Sequence, residues 1–302
     1  VLLEKRSFLM PTDPKPDKNT YILGAESGPE MARLMDQDRL LTHGMGGLFP
    51  ERNDVSTMRD MLDIACGPGG WALDVAHTYQ KMNVAGIDVS PRMIEYARTQ
   101  AWSQGLENAS FRVMNVLEPL DFPDDSFDLV NARFLVGFMP QSGWSAFLQD
   151  CRRITRPGGI VRLTEFDEPG TTNSTAFEAW KALTFCAVRK AGFSSSPDGH
   201  NYGILPSLGT LLRTGGFQHI GLRAHAIDFS AGTDSFETMF QNCSVAFQLV
   251  QPFLLKMDLA TQEEMDEMYQ QMLIEMMQEN FSAIWSYMTV WGQNGDAISA
   301  NS

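Results

Sequence analysis

Three observations predict an α/β protein built on a parallel sheet. From residue 58 to 166, short apolar runs of strand length alternate with stretches of helical spacing, as a parallel sheet with crossover helices requires. The first run, Met61-Leu-Asp-Ile-Ala-Cys-Gly-Pro-Gly-Gly-Trp-Ala-Leu-Asp74, passes through a turn crowded with Gly67, Gly69 and Gly70 into a helical pattern that starts at Trp71. A carboxylate, Asp88, stands roughly 20 residues beyond that turn, at the end of the next apolar run. A strand entering a helix through glycines is a ligand-binding device. The missing Cβ atoms let backbone N–H groups approach a ligand, and the helix N-terminus favours electronegative groups.

In chain order, residues 1–20 are rich in proline and charge and predict a mobile arm. A helix follows from 28 to about 43, with Pro29 at its first position and Met31, Leu34, Met35 and Leu41 as an apolar stripe. Residues 44–47 read as a joint. The second strand covers 83–89; Ser90 then caps a helix that turns Met93, Ile94 and Ala97 inward. A third strand is expected over 110–116, a fourth up to Asn131, a helix over 144–155 and a fifth strand over 160–166. Beyond these come a helix over 176–190, a loop over 192–201 with little core-forming capacity, a short helix over 208–216 and a strand over 219–229. Residues 232–282 read as helical: Thr261-Gln-Glu-Glu264 is a capping box, and Met265, Met268, Met272 and Met276 recur at helical spacing. A last strand is expected over 286–292.

The glycine turn alone leaves two readings. Gly67-x-Gly69-x-x-Ala72 with Asp88 fits the dinucleotide fingerprint of nicotinamide oxidoreductases. Asp63 shifts the balance, because a carboxylate before the turn suits a cationic amine and repels a pyrophosphate. The run Asp63-Ile-Ala-Cys-Gly-Pro-Gly69 resembles the first motif of class I S-adenosylmethionine-dependent methyltransferases, with Ala65 in place of that motif's first glycine. Phe122-Pro-Asp-Asp-Ser-Phe-Asp-Leu-Val130, Arg156-Pro-Gly-Gly159 and Gly215-Gly-Phe217 resemble further motifs of the family, in the family's order. The likeness is specific over 58–166 and extends in outline over 21–292, in the manner of the quinone-biosynthesis methyltransferases.

The resemblance implies a Rossmann-like, doubly wound sheet of seven strands in the order 3-2-1-4-5-7-6, the last strand antiparallel. It implies a helical cap over 21–57, a core over 58–292 with substrate-covering insertions at about 168–204 and 232–282, and a tail over 293–302. S-adenosylmethionine would be the methyl donor and S-adenosylhomocysteine the product. Cofactor-binding residues would be Tyr21 and Gln37 from the cap, and Asp63, Ala65, Cys66, Gly67 and Gly69 from the turn. Asp88 would accept both ribose hydroxyls, with Val89 and Met93 beside it; Asn115 and Val116 would serve the adenine, and Asn131 and Arg133 leave the fourth strand toward the pocket.

Methyl transfer from a sulfonium is a direct displacement that alignment and exclusion of water can largely accelerate. No catalytic residue is therefore required; where the acceptor loses a proton, His43 and His200 are the candidate bases. His219 and His225 fall in a strand and read as structural, and His77 as helix surface. The Met-rich helix, with Phe236, Phe240, Phe247 and Phe253 nearby, would be core, line an apolar pocket or form a homodimer contact. A pocket of that kind implies a lipophilic small-molecule acceptor: a quinone, terpenoid, polyketide or indole-derived product of secondary metabolism.

Composition sets the outer bounds. The 302 residues carry a net charge of −14, which repels nucleic acid. No apolar run approaches the roughly 20 residues of a membrane helix, and the first residues lack the order of a signal peptide. The 4 cysteines are widely spaced and without metal-ligand pattern, which predicts reduced thiols, a cytoplasmic protein and no metal. Two other readings keep the cofactor: an enzyme using it for a non-methylating reaction such as a cyclisation, and a non-catalytic cofactor-binding protein.

Overall fold

The computed structural model describes residues 28–52 and 54–295. Eight strands form one sheet: β1 (Asp60–Ile64), β2 (Asn83–Asp88), β3 (Ala109–Val113), β4 (Phe127–Arg133), β5 (Thr155–Phe166), β6 (Thr171–Thr172), β7 (Phe217–Asp228) and β8 (Ala283–Asn294). The helices are α1 (Gly28–Met45), α2 (Gly70–Thr78), α3 (Pro91–Ser103), α4 (Trp144–Ile154), α5 (Thr175–Lys190), α6 (Leu208–Thr214), α7 (Phe236–Lys256) and α8 (Gln262–Met276).

Strands β3, β2, β1, β4 and β5 pair in parallel in that order. Strand β8 runs antiparallel between β5 and β7, and the two-residue β6 joins β8 on the side of β5. Setting β6 aside, this is the Rossmann-like order 3-2-1-4-5-7-6 expected from the sequence, with the antiparallel strand in its expected place. Among the described residues no helix is long and apolar enough to cross a membrane.

Strand alternation separates two cores. Leu62, Ile64, Val130, Val161 and Leu163 face one side, under α4 and α6. Met61, Leu129 and Ile160 face the other, with Trp71, Ala72 and Val75 of α2. A third apolar cluster joins α1, α5, α7 and α8 to the ends of β7 and β8. Met265, Met272 and Met276 of α8 are fully buried in that cluster, so the methionine stripe is helix core.

Three local departures from the sequence reading have identifiable causes. Strand β3 stops at Val113, because Asn115 Oδ1 accepts from Leu117 N at 3.0 Å and turns the chain out of the sheet. The run Arg156-Pro-Gly-Gly159 lies inside β5 as a bulge: Phe127 pairs with Thr155 but Leu129 with Ile160. Arg156 anchors that bulge through ion pairs to Asp60 at 2.8 Å and Asp128 at 2.9 Å. Helix α1 buries a polar face, with Glu30, Arg33, Gln37 and Asp38 buried beside Leu41 and Met45. Met31, Leu34 and Met35 are only half-buried, so the expected apolar stripe is not what seats this helix.

Inside the sheet, Arg162 of β5 is fully buried. Its Nε pairs with Glu51 at 2.8 Å and its Nη1 donates to Asn131 Oδ1 at 2.8 Å. Removing one member of a buried ion pair strands the other charge. Arg162→Met is expected to lower stability by about 3–5 kcal/mol, read as the urea midpoint at constant m-value. Adding Glu51→Gln should recover much of the loss, and an unchanged midpoint in the single variant would remove this pair from the fold's energetics.

Candidate functional site

A cavity of about 260 Å³ opens at the carboxyl ends of β1, β2 and β4. One part of its wall is the turn after β1. Ala65 there has φ 54°, a left-handed conformation that costs an L-residue roughly 1–2 kcal/mol and glycine almost nothing. The resembling motif has glycine at this position, and the backbone shape shows why. Gly70 opens α2 against Asp38: a Cβ at Gly70 would collide with the Asp38 carboxylate.

Carboxylates dominate this part of the cavity. Asp88 Oδ2 accepts from Gly67 N and Oδ1 from Ser90 N, both at 2.9 Å, which fixes the turn to the end of β2. Burial raises its pKa above the ordinary aspartate range. Asp63 is 2% exposed; its Oδ1 accepts from Asn131 Nδ2 at 2.7 Å, while its Oδ2 has no hydrogen-bond partner. Burial pushes this carboxyl up to about 6, against the opposing pull of Arg133 and the Asn131 amide. Arg133, at the end of β4, is ion-paired to Asp38 of α1. The linked network thus holds three carboxylates, Asp38, Glu51 and Asp63, against two guanidiniums, Arg133 and Arg162.

The other part of the wall is aromatic. Phe134, with φ 58°, begins a tight turn after β4 and meets Phe166 edge-on at 4.8 Å and Trp285 at 5.5 Å. Glu165 sets that turn, its oxygens accepting from Leu135 N at 2.8 Å and Val136 N at 3.2 Å. Trp180 and Phe185 of α5 and Met239, Cys243 and Val250 of α7 extend the wall. The lining contributed by α5, α7, β8 and residues 166–169 and 202 contains no Asp, Glu, Lys, Arg or His.

The structure brings Gln37, Asp63, Ala65, Cys66, Gly67, Asp88, Val89, Met93, Asn115, Val116 and Arg133 to this cavity. Tyr21 lies outside the described residues. Two candidates stand behind the wall. Gly69, φ 88°, packs toward Ala97 and Phe111, and Asn131 is fully buried between Asp63 and Arg162. Asn131 sits within β4, so its side chain lies in the ladder across β1 and β5 and does not leave the strand end. His43 and His200 are both exposed and neither lines the cavity. His225 is buried, stacked on Tyr287 at 5.0 Å and 3.2 Å from Thr289 Oγ1, a structural residue as expected.

Sequence reasoning missed Tyr202, Trp180, Trp285 and the α7 residues. The loop over 192–201 carried a signal after all: the run Tyr202-Gly-Ile-Leu205 that follows is apolar, and Tyr202 and Ile204 are each 5% exposed.

A parallel sheet with one antiparallel strand next to its edge, and a cavity at the carboxyl ends of β1, β2 and β4, defines the Rossmann-like methyltransferase class. Residues 61–159 match a family model described as a methyltransferase domain, and this match, with the relatives below, supports a class I S-adenosylmethionine-dependent methyltransferase. It is 23% identical over 219 residues to methyltransferase tpcH of Aspergillus fumigatus, covering 68% of this chain and 71% of that protein. To a demethylmenaquinone methyltransferase of Geobacillus kaustophilus it is 27% identical, over 67% of this chain and 77% of the other. The one from Tropheryma whipplei is 35% identical over 49% of this chain and 58% of its own length. Among solved structures, the YcgJ protein of Bacillus subtilis shares the fold, with a TM-score of 0.54 and 16% identity over 84% of this chain and 99% of that one. Phosphoethanolamine N-methyltransferase 2 of Haemonchus contortus, solved with S-adenosyl-L-methionine, superposes with a TM-score of 0.51 and 19% identity, over 84% of this chain and 52% of that one. The cofactor of this class is S-adenosylmethionine.

Burial also pushes Glu165 up to about 8, outweighing the two backbone donors. The folded state therefore holds a proton that the unfolded chain releases near pH 4.5. This group's contribution favours folding most below pH 4.5, declines as pH rises toward 8 and is flat above it. Glu165→Gln should flatten the fall in stability between pH 5 and 8, read by urea unfolding at each pH. Equal slopes in the two proteins would contradict the assignment.

Proposed function

We propose that the carboxylate-lined part of the cavity holds adenosylmethionine and that the aromatic part holds a small lipophilic acceptor. The observation that supports the cofactor placement is the charge of the group beside the cavity, where Asp38, Glu51 and Asp63 outnumber Arg133 and Arg162 by one. An α-ammonium group would fill that deficit; a pyrophosphate would deepen it. Asp88 is positioned at the end of β2 to accept the ribose hydroxyls, and its existing bonds to Gly67 N and Ser90 N keep both oxygens oriented. Asn115 and Val116, on the chain leaving β3, would serve the adenine, with Val89 and Met93 beside them. When bound, the cofactor supplies a methyl group already activated on a sulfonium.

The protein's share is then alignment and desolvation. The ring lattice of Phe134, Phe166 and Trp285 is rigid, and Glu165 fixes the turn that carries Phe134. No histidine of the described residues lines the cavity, so an acceptor with a mobile proton must lose it without an imidazole base. An uncharged aromatic wall favours flat, apolar acceptors; a charged one would lose its hydration without a partner. This supports a quinone-like or other flat lipophilic metabolite, in line with the quinone precursor in the name of the Geobacillus relative. The net charge of −14 disfavours nucleic acid, and 4 cysteines that all remain unpaired suit a cytoplasmic enzyme.

Calorimetric titration with adenosylhomocysteine tests the placement. Asp88→Ala should weaken binding by at least about tenfold, two charge-assisted hydrogen bonds being at stake, while the protein still unfolds cooperatively. Because Asp63 must be ionised to pair with the ammonium, wild-type affinity should rise with pH until about 6 and level off above it. Asp63→Asn should bind more weakly and without that pH dependence. A flat wild-type profile would refute the role given to Asp63, and no saturable binding at all would refute the site.

A further inference from the structure

We infer that the phenyl ring of Phe134 is the contact for the charged sulfur of the methyl donor, and that it discriminates this sulfonium from the neutral thioether left after transfer. This rests on the reading of the cavity as the methyl-transfer site, and it adds to that reading a residue that selects donor over product.

Chain position puts Phe134 on the border between the two parts of the cavity. Ala132 of β4 pairs with Ile64 of β1, so Arg133 and Phe134 leave the sheet beside Ala65, Cys66 and Gly67. These residues all line the cavity. Arg133 belongs to the charged network of Asp38 and Asp63, where the α-ammonium is placed. Phe134 belongs to the aromatic wall, through Phe166 and Trp285. Only two methylene groups separate the α-carbon of adenosylmethionine from its sulfur. An ammonium held beside Asp63 therefore brings the sulfonium to this border.

The backbone keeps a ring at this place. Phe134 has φ 58°, a left-handed conformation that suits glycine and is rare for a bulky side chain. The turn is held from both sides: Phe134 N donates to Thr164 O at 2.8 Å, and the buried Glu165 carboxyl accepts from Leu135 N and Val136 N. A bulky residue fixed in such a conformation points to function at its position. The ring is half-buried and lines the cavity, so part of it stays open. Arg133 turns its guanidinium to Asp38, and among the described residues the guanidinium stacked over a ring is that of Arg112, on Phe122. No described cation thus occupies the face of Phe134.

A sulfonium carries its charge on a weakly hydrated centre among carbon substituents, the kind of cation an aromatic face attracts. A carboxylate at this position would hold the charge more strongly, but it would itself be a nucleophile beside the methyl group; a phenyl ring is not. The product thioether is neutral, because the electron pair of the broken methyl–sulfur bond stays on sulfur. The contact is lost on transfer and favours exchange of product for fresh donor. Since the charge on sulfur falls as that bond breaks, the ring serves donor selection and not the rate of the chemical step.

The test is calorimetric titration of adenosylmethionine and adenosylhomocysteine, without acceptor, into wild type and three proteins altered at this position. Phe134→Leu should lower the ratio of the two affinities about threefold or more, as loss of a cation–π contact does. Its affinity for adenosylhomocysteine should stay within about twofold of wild type. Phe134→Tyr keeps the ring face and should hold the wild-type ratio within about twofold. A trifluorinated phenylalanine placed at residue 134 keeps the shape of the ring but withdraws its negative face, and should lower the ratio as leucine does. A wild-type ratio in the fluorinated protein would overturn the inference. Loss of adenosylhomocysteine binding there would overturn it too, since the ring would then be a structural support. Failure of wild type to bind adenosylhomocysteine would instead overturn the reading of the site on which it stands.

Discussion

The site depends on a carboxylate buried where water cannot reach it. Asp63, Asn131 and Arg162 occupy one register row across β1, β4 and β5 and point to the same face of the sheet, where they bond in sequence. Glu51 closes the row from the segment before β1. A slip of one residue in any of these strands would turn its polar group to the opposite, apolar face. The row therefore pins strand register. It also leaves one oxygen of Asp63 without a hydrogen bond beside the cavity, which on the proposed reading favours a cationic ligand there.

Helix α1 follows from the same electrostatics. Arg133 at the end of β4 needs a counter-ion, and Asp38 provides it from across the cavity. Gly70 keeps the approach of Asp38 to the start of α2 free of a side chain. Farther along α1, Arg33 is held by both oxygens of Glu30 and reaches Gln37 and Asn242, which ties α1 to α7. The two helices are thus joined by hydrogen bonds through Asn242 as well as by the apolar cluster that holds Leu41 and Met45 against Met239 and Phe247.

What the sequence revealed and what it hid divide along range of interaction. The turn from Asp63 to Gly69 and the place of Asp88 at the end of β2 were legible, because backbone geometry forces particular residue types at short spacing, whereas the strand order came from the resemblance alone. Even the irregular Ala65 was visible as a departure, and its φ of 54° gives the departure a physical meaning. The polar face of α1 was hidden, since Arg33 and Asp38 find partners on α7 and β4 that no local pattern records. For the same reason His43 and His200 drew attention by chemistry alone, yet both face solvent. Tyr202, two residues beyond His200, enters the cavity because Asp167 Oδ1 gathers Ile204 N and Leu205 N and folds the loop back onto the end of β5.

The two parts of the cavity differ in charge. Near β1 and β2 the lining holds Asp63, Asp88 and Asp38, and on the proposed reading a cationic ligand sits there. Around α5 and β8 the lining is aromatic and, among the described residues, carries no charged side chain, which opposes a charged ligand. A displacement at carbon needs its two reactants held in line and kept dry, and such a division sorts them before chemistry begins. On the proposed reading it also accounts for a cavity that no histidine of the described residues lines: holding both reactants in line and dry, without an imidazole base, would supply the rate.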